Sequence, residues 1–199
     1  ENDGMGHNNT SPRLALNYHV TSQQTVRLSS SVAYRSPATI EEKSHSGFLL
    51  SLGGLKPERI FSREIGYLGE FTELGLSLDA RVYEDKVNDI IYIDPSLTFI
   101  PYSFANLLDA KYRGFESTVK YRWGDQSNLI FNFSRQMMDC EITGKLTNPF
   151  VQPLLQDVAT QCTSSVPWNS GSVLLTQQVL PDFVFSAGYY YQSELQFID

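Results

Sequence analysis

The sequence predicts an all-β fold: an antiparallel meander of about eight strands that forms part of a transmembrane β-barrel. Three observations predict it. Segments of about ten residues alternate apolar and polar side chains, the connections between them are alternately short and long, and aromatic residues lie near the segment ends. Aromatic residues make up 13% of the 199 residues, a composition that favours strands over disorder.

The alternation is clearest in two segments. Over residues 73–85 the even positions are apolar and comprise Leu74, Leu76, Leu78, Ala80 and Val82. Over residues 183–192 the odd positions are apolar or aromatic and comprise Phe183, Phe185, Ala187, Tyr189 and Tyr191. Because successive side chains of a strand point to opposite faces, we expect the apolar face to contact lipid and the polar face to line the barrel lumen.

The first four strands follow from this alternation. They are predicted over residues 12–20, 25–34, 60–69 and 73–86, with short turns at residues 21–24 and near Glu70 and Phe71. Two long connections interrupt the pattern, at residues 35–59 and 87–111. The first contains Gly53 and Gly54, and the second contains Pro95 and Pro101, which suit loops better than strands.

The last four strands are predicted over residues 112–122, 127–137, 168–179 and 183–195. A short turn at residues 124–126 joins the fifth strand to the sixth, and another at residues 180–182 joins the seventh to the eighth. A third long connection covers residues 138–167. All short turns therefore fall at one end of the sheet and all long loops at the other. This asymmetry is typical of outer-membrane barrels, and aromatic residues near strand ends suit the membrane interfaces: Tyr34, Tyr67, Tyr121, Trp123 and Trp168.

Composition excludes several other classes. The net charge of −7 argues against nucleic acid as a partner, because phosphate binding needs an excess of cations. The sequence has no run of roughly 18 apolar residues that would form a transmembrane helix. It also lacks a phosphate-binding glycine loop and a nucleophile elbow, so we expect no enzymatic activity and no cofactor.

Cys140 and Cys162 both lie in the third long connection. We expect them to form a disulfide in an oxidising compartment, since neither sits on an apolar strand face; two free thiols are the alternative. We expect no metal site, because the two cysteines have no histidine cluster beside them and His7, His19 and His45 are far apart in the sequence.

An ordered series of short motifs carries a family resemblance. The series begins with Tyr34-Arg35-Ser36-Pro37 and Leu55-Lys56-Pro57-Glu58, continues with Glu64-Ile65-Gly66-Tyr67 and Tyr112-Arg113-Gly114-Phe115-Glu116, and ends with Val166-Pro167-Trp168-Asn169. With these motifs in this order, the chain resembles the barrel of TonB-dependent outer-membrane receptors. The resemblance implies location in the outer membrane of a Gram-negative bacterium, with outer-membrane lipid as the surroundings.

The resemblance covers only part of such a receptor. The family has an N-terminal plug domain and a barrel of twenty-two strands, whereas residues 1–199 are expected to be a partial barrel domain without the plug and without the last strands. The resemblance further implies that the TonB complex acts on the receptor through that plug. The expected function is import of a scarce nutrient.

The family's usual ligand is a ferric siderophore, and the resemblance implies a similar small ligand here. The motif that marks heme receptors is incomplete, since Tyr34-Arg35-Ser36-Pro37 has no second element after it. Candidate ligand-binding residues lie in or beside the long loops, where cations and aromatic rings suit an anionic chelate: Arg35, Lys43, Tyr92, Tyr102 and Phe104. Two alternatives remain open, a passive outer-membrane channel or adhesin barrel, and a secreted β-sandwich recognition module.

Overall fold

The computed structural model describes residues 9–46, 48–94, 102–144 and 152–194. These residues form one eight-stranded antiparallel sheet whose strand order follows the chain, so the predicted all-β meander is confirmed. Among them no ladder joins the first strand to the last, and the sheet is an open wall. The strands are β1 Arg13–Thr21, β2 Gln24–Arg35, β3 Glu58–Phe71, β4 Leu76–Asp94, β5 Ser103–Trp123, β6 Ser127–Ile142, β7 Asn169–Leu180 and β8 Phe183–Gln192.

The turn between β3 and β4 is a short 3₁₀ helix, Thr72–Leu74, which moves the start of β4 from the predicted residue 73 to Leu76. Gly75 ends this helix at φ 63°, a left-handed conformation that suits glycine. Its carbonyl accepts a hydrogen bond from the Arg122 N–H at 2.8 Å, and a Cβ added at Gly75 would collide with the Arg122 carbonyl. The glycine therefore lets this turn pack against the end of β5.

The predicted long connection over residues 87–111 is wrong. β4 continues to Asp94 and β5 begins at Ser103, so most of that segment belongs to a hairpin that rises above the neighbouring strands. Pro95 and Pro101 lie outside the described residues. The sequence does not predict this hairpin, because the alternation of apolar and polar side chains changes phase within it.

Two β-bulges cause this change of phase. Val87 pairs with Ala110 and Ile90 with Leu108, so Asn88 and Asp89 of β4 face a single residue of β5. Ile91 then pairs with Asn106, which leaves Leu107 as an extra residue on β5. Each extra residue shifts the side chains beyond it to the opposite face. The alternation of apolar and polar side chains in the upper part of the hairpin is therefore out of phase with that in the lower part.

The predicted connection over residues 138–167 is also partly wrong. β6 continues to Ile142, and the connection contains a helix, α2 (Gln152–Ser164). The connection between β2 and β3 contains one short helix, α1 (Thr39–Lys43). Both of these connections, and the tip of the β4–β5 hairpin, lie at the same end of the sheet.

The strand register separates two kinds of face. An apolar row crosses the sheet on one face, which we call outward, and comprises Leu78, Val119, Phe131, Val173 and Tyr189. One residue along, the opposite and inward face carries a polar row in which the Thr118 hydroxyl donates to Asn132 Oδ1 and Asn132 Nδ2 donates to Ser172 Oγ. The sequence alternation thus becomes two continuous surfaces of opposite polarity.

Ion pairs extend the inward surface over β2 to β5. Arg27 Nη2 lies 3.0 Å from Asp79 Oδ1, and Arg81 Nη2 lies 2.6 Å from Glu116 Oε2. Arg81 Nη1 also reaches Glu64 Oε2 at 3.2 Å. These five charged residues therefore neutralise one another on the inward side of the wall.

The buried apolar residues lie near the end of the sheet that carries the long connections. Leu107, Leu108, Leu155 and Ala159 form a cluster of buried residues, with α2 packed beside β6 and the β4–β5 hairpin. The middle of the sheet has many exposed large apolar side chains, including Leu16, Ile65 and Phe185. A sheet whose outward face contacts lipid has no need of a second layer to cover it.

A pair of arginine substitutions tests the assignment of the faces. In the full-length outer-membrane protein, Leu78→Arg should cost about 2–4 kcal/mol of refolding stability in lipid vesicles, because no water solvates the new charge. Ser77→Arg introduces the same side chain one residue away on the inward face and should cost far less. Equal small costs for both variants would mean that both faces contact water.

Candidate functional site

The candidate site is the end of the sheet that carries the long connections. We call it the loop layer and define it as residues 35–58, the hairpin tip formed by residues 88–94 and 102–109, and the described residues from 138 to 168. It combines three segments that are distant in sequence. The apolar rows of the sheet lie below it, so its polar groups are outside the apolar band.

Arg35 organises the first segment. Its guanidinium binds Glu58 through two hydrogen bonds of 2.6 and 2.7 Å and binds Glu41 of α1 at 3.1 Å. Glu58 also accepts the Ile91 N–H at 2.9 Å, which links this segment to the hairpin. Burial alone would raise the pKa of Glu58, but the hydrogen bonds from Arg35 and Ile91 outweigh it and hold that pKa below its usual value.

Glu42 folds the same segment back on itself. Its carboxylate accepts the Gly54 N–H at 2.8 Å and the Leu55 N–H at 3.1 Å. Gly53 and Gly54 both have positive φ angles, 68° and 76°, which a side chain would strain. This turn carries Leu55 into a buried position and directs the chain toward Lys56 and β3.

Asn106 joins the first segment to the hairpin tip. Its Oδ1 accepts the Lys56 N–H at 2.9 Å, and its Nδ2 donates to the Lys56 carbonyl at 3.0 Å and to the Asp89 carbonyl. Asp109 supports the same region by accepting the Asp89 N–H at 2.9 Å and an Asn88 Nδ2 hydrogen bond at 2.7 Å. One amide therefore connects two loops that are fifty residues apart.

A polar cavity of about 670 Å³ lies between these segments. Its walls combine carboxylates, amides, a lysine and one aromatic ring, and include Lys56, Asp89, Asp94, Ser103, Phe104, Asn106 and Asp109. Ser103 is fully buried, and its hydroxyl has no hydrogen-bond partner in the part of the chain that the structure describes. The cavity thus has an apolar ring and polar groups that could contact a small ligand.

α2 covers the neighbouring part of the loop layer. Leu155 and Ala159 of α2 pack on Leu107 and Leu108 of the hairpin. A disulfide joins Cys140 to Cys162 of α2, with the Cα atoms 6.1 Å apart. The sequence predicts that Cys140 lies in a loop. The residue lies on β6 instead, because this strand is longer than predicted. The disulfide therefore links the helix directly to the wall of the sheet.

The five ligand-binding residues proposed from the sequence all lie in the loop layer. Arg35 is engaged by two carboxylates, and Lys43 is exposed at the end of α1. Tyr92 packs against the apolar cluster beneath α2. Phe104 lines the cavity, while Tyr102 is 48% exposed and its backbone bonds to Phe48 and Leu50.

Several polar residues that line the cavity are not among the candidates that the sequence predicts. Asp94, Ser103, Asn106 and Asp109 fall in a segment predicted to be a loop, so no face could be assigned to them. The only sequence signal was a local density of carboxylate and amide residues around Asn88 and Asp89. The bulges bring these side chains together, and bulges are not visible as a residue pattern.

The described residues contain no group of three or more His, Cys, Asp or Glu side chains that could hold a metal ion. Nor does any helix among them have the length and apolar character needed to cross a membrane.

Comparison with known families gives a match along almost the whole chain. Residues 1–197 match the family model described as "TonB dependent receptor-like, beta-barrel". The vitamin B12 transporter BtuB of Vibrio vulnificus is 30% identical over 122 residues, which are 60% of this chain and 18% of that protein. The chain therefore spans about a fifth of the length of this curated relative.

Solved structures show the same fold. The FrpB iron transporter from Neisseria meningitidis superimposes with a TM-score of 0.69 at 16% identity, over 92% of this chain and 26% of that one. The pyoverdine outer membrane receptor FpvA from Pseudomonas aeruginosa gives a TM-score of 0.65 at 16% identity, over 92% and 24%. The alcaligin outer-membrane receptor FauA from Bordetella pertussis gives 0.59 at 15%, over 92% and 29%.

Removal of the disulfide tests its role in the loop layer. Replacing Cys140 and Cys162 together by serine opens a covalent link across 22 residues and should cost about 3 kcal/mol in the chain-entropy model. Hydrogen exchange in α2 should become faster, while exchange in β2 and β3 stays unchanged. Ser164→Ala, in the same helix, is the control and should have little effect. Two free thiols in the oxidised protein, measured by mass spectrometry, would contradict the disulfide.

Proposed function

This chain belongs to the TonB-dependent receptor-like β-barrel family of Gram-negative outer-membrane proteins, and from that membership we propose that it is part of a receptor that imports a scarce nutrient. The observation that carries the proposal is the polar cavity in a loop layer above an apolar wall. A nutrient would bind among the residues of the loop layer before it is transported.

We propose a ferric siderophore or a similar small chelate as the ligand. Two of the structural relatives are named for pyoverdine and alcaligin, and one sequence relative is a vitamin B12 transporter. A cavity of about 670 Å³ lies in the size range of small-molecule sites. The presence of Phe104 in its wall supports binding of a ligand with flat or aromatic groups.

The five candidate residues would have two kinds of role, contact with the ligand and positioning of the loops. Tyr102, Phe104 and Lys43 have exposed or cavity-lining side chains and would contact the ligand. Arg35 would act as a positioning residue, because Glu41 and Glu58 already occupy its guanidinium. Tyr92 would do the same for the hairpin, since it packs against the apolar cluster.

We also propose that residues 1–199 are a partial barrel domain and that the TonB complex drives transport through a plug domain elsewhere in the protein. The match covers 18% of the vitamin B12 transporter and 26% of the FrpB iron transporter, and this small share supports the division. The inward ion pairs of Arg27 and Arg81 would then face the plug or the aqueous lumen.

The alternative is a passive outer-membrane channel or adhesin barrel, which would need neither a plug nor an energy source. The secreted β-sandwich is disfavoured, because the eight strands form a single meander and not two facing sheets.

Ligand binding can be tested with a panel of ferric hydroxamate and ferric catecholate siderophores and cobalamin. In the full-length receptor, the double variant Tyr102→Ala/Phe104→Ala should raise the Kd of the bound compound at least about tenfold, because buried aromatic contacts dominate such sites. The control Tyr121→Ala/Phe185→Ala removes two aromatic rings near the short turns and should leave the Kd unchanged. Equal effects of the two double variants would contradict a site in the loop layer.

Energy dependence separates the importer from the passive channel. Dissipating the proton-motive force in whole cells should abolish uptake of the bound compound but leave its binding to the cell surface intact. This result is expected because energy transmitted from the inner membrane is needed for release of the ligand and not for its capture. Uptake that continues at the same rate would favour the channel.

A further inference from the structure

The polar cavity of the loop layer differs in charge between its two ends. Its wall includes two cations and three carboxylates: Lys56, Arg59, Asp89, Asp94 and Asp109. The register pairs Arg59 with Asn88 near the base of the β4–β5 hairpin and pairs Asp94 with Ser103 farther along it. Six residues of β4 separate Asn88 from Asp94, which is a distance of roughly 20 Å along the strand. We call the two regions the Arg59 end and the Asp94 end.

Both cations of the wall lie at the Arg59 end. Lys56 Nζ is 3.6 Å from Asp89 Oδ1, and Asp89 directly follows Asn88, the residue that pairs with Arg59. Asp109 lies at the same end, because it accepts a hydrogen bond from Asn88 Nδ2. The charges at this end therefore balance one another, whereas the Asp94 end presents a carboxylate to the cavity.

Asp94 and Ser103 lie side by side at their end of the cavity. They are directly opposed in the β4–β5 ladder, and opposed residues place their side chains on the same face with Cβ atoms about 5 Å apart. Asp94 is 3% exposed and Ser103 is 0% exposed, and both line the cavity. The Ser103 hydroxyl has no hydrogen-bond partner among the described residues, and burial of an unpaired hydroxyl is costly. A ligand group that binds this hydroxyl would remove that cost.

The chemistry of this pair favours an ammonium group. An ammonium has three donors, the serine oxygen has two lone pairs, and a carboxylate has about four acceptor sites, so Asp94 can accept from a ligand in addition to its contacts in the protein. An anionic ligand group would be repelled by the like charge of Asp94. A calcium ion takes roughly six to eight oxygen ligands, more than one carboxylate and one hydroxyl supply.

We propose that Asp94 and Ser103 bind a positively charged amino group of the nutrient, and that this contact makes the receptor prefer a chelate that carries such a group. The inference rests on the proposed function, in which the nutrient enters the polar cavity. The ammonium donates hydrogen bonds to the Asp94 carboxylate and to the Ser103 hydroxyl oxygen. Arg35 does not oppose this preference, because Glu41 and Glu58 already engage its guanidinium.

The test compares three forms of one ferric trihydroxamate whose tail ends in a primary amine. The free amine is a cation at neutral pH, the acetylated amine is neutral, and the succinylated amine carries a negative charge, while the iron centre is the same in all three. The full-length receptor should bind the ammonium form at least about tenfold more tightly than the acetylated form, because charge-assisted hydrogen bonds are lost on acetylation. The succinylated form should bind most weakly. Equal Kd values for the ammonium and acetylated forms would overturn the proposal.

A pair of charge variants assigns the preference to Asp94. Asp94→Asn should bring the Kd values of the ammonium and acetylated forms to within about twofold of each other, because the carboxylate is gone. The control Asp89→Asn removes the same charge at the Arg59 end, where asparagine tolerates the φ of 59°. It should leave the preference unchanged, because Asp89 is more than a Debye length of about 8 Å from the bound ammonium. Equal weakening of all three forms by Asp94→Asn would mean a structural role and contradict the proposal.

Ser103→Ala separates ligand binding from stability. The variant removes a hydroxyl that makes no hydrogen bond within the described protein, so the Tm of the free receptor should stay the same or rise. The preference for the ammonium form should fall at least about threefold, because one acceptor of the ammonium is lost. An unchanged preference would contradict the role of Ser103.

The same measurements distinguish this inference from the proposed function. If none of the three trihydroxamates binds, but cobalamin or a ferric catecholate binds and is weakened by Tyr102→Ala/Phe104→Ala, the receptor function stands and the ammonium site is wrong. If no compound of the panel binds, the proposed function fails and this inference fails with it.

Discussion

Pairing of backbone hydrogen-bonding groups is the constraint on which the rest of this structure depends. A strand that crosses hydrocarbon has no water to satisfy its N–H and C=O groups, so each must bond to a neighbouring strand. The eight strands meet that requirement through ladders between consecutive strands. Once the backbone is fixed in this way, side chains alternate between two faces, and each face can be matched to a different solvent. The outward apolar rows and the inward ion pairs of Arg27 and Arg81 are both consequences.

The same constraint explains where close packing occurs. A wall with lipid on one side and an aqueous interior on the other has no layer to pack against, and its large apolar side chains remain exposed in the isolated sheet. Beyond the apolar band the solvent is water on both sides, and apolar side chains gain by clustering there. Leu107 and Leu155 are fully buried for this reason. The most tightly packed part of the chain is thus also the part with the candidate binding cavity.

The sequence predicted the fold well where the alternation was regular and poorly where it was interrupted. The meander, the short turns and the two faces follow from an alternation of apolar and polar side chains with a period of two residues. In β4, for example, Leu76 and Leu78 lie on the outward face and Asp79 lies on the inward face. The sequence predicts a loop at the upper part of the β4–β5 hairpin, because the bulges at Asn88–Asp89 and Leu107 break that period. Of the candidate site, single residues such as Phe104 could be proposed by residue type. The hydrogen bonds of Asn106 could not, because they depend on a register that only the folded chain defines.

The connections made by Asn106 and by the disulfide give the loop layer a mechanical character. Asn106 ties the first long connection to the hairpin tip, and the hairpin packs under α2, which is covalently attached to β6. The described parts of these three segments, which are independent of one another in the sequence, are therefore linked to each other and to the strands β2 to β6. Links of this kind lower the entropy that is lost when a ligand is captured, and they transmit a force applied to one strand to the whole loop layer.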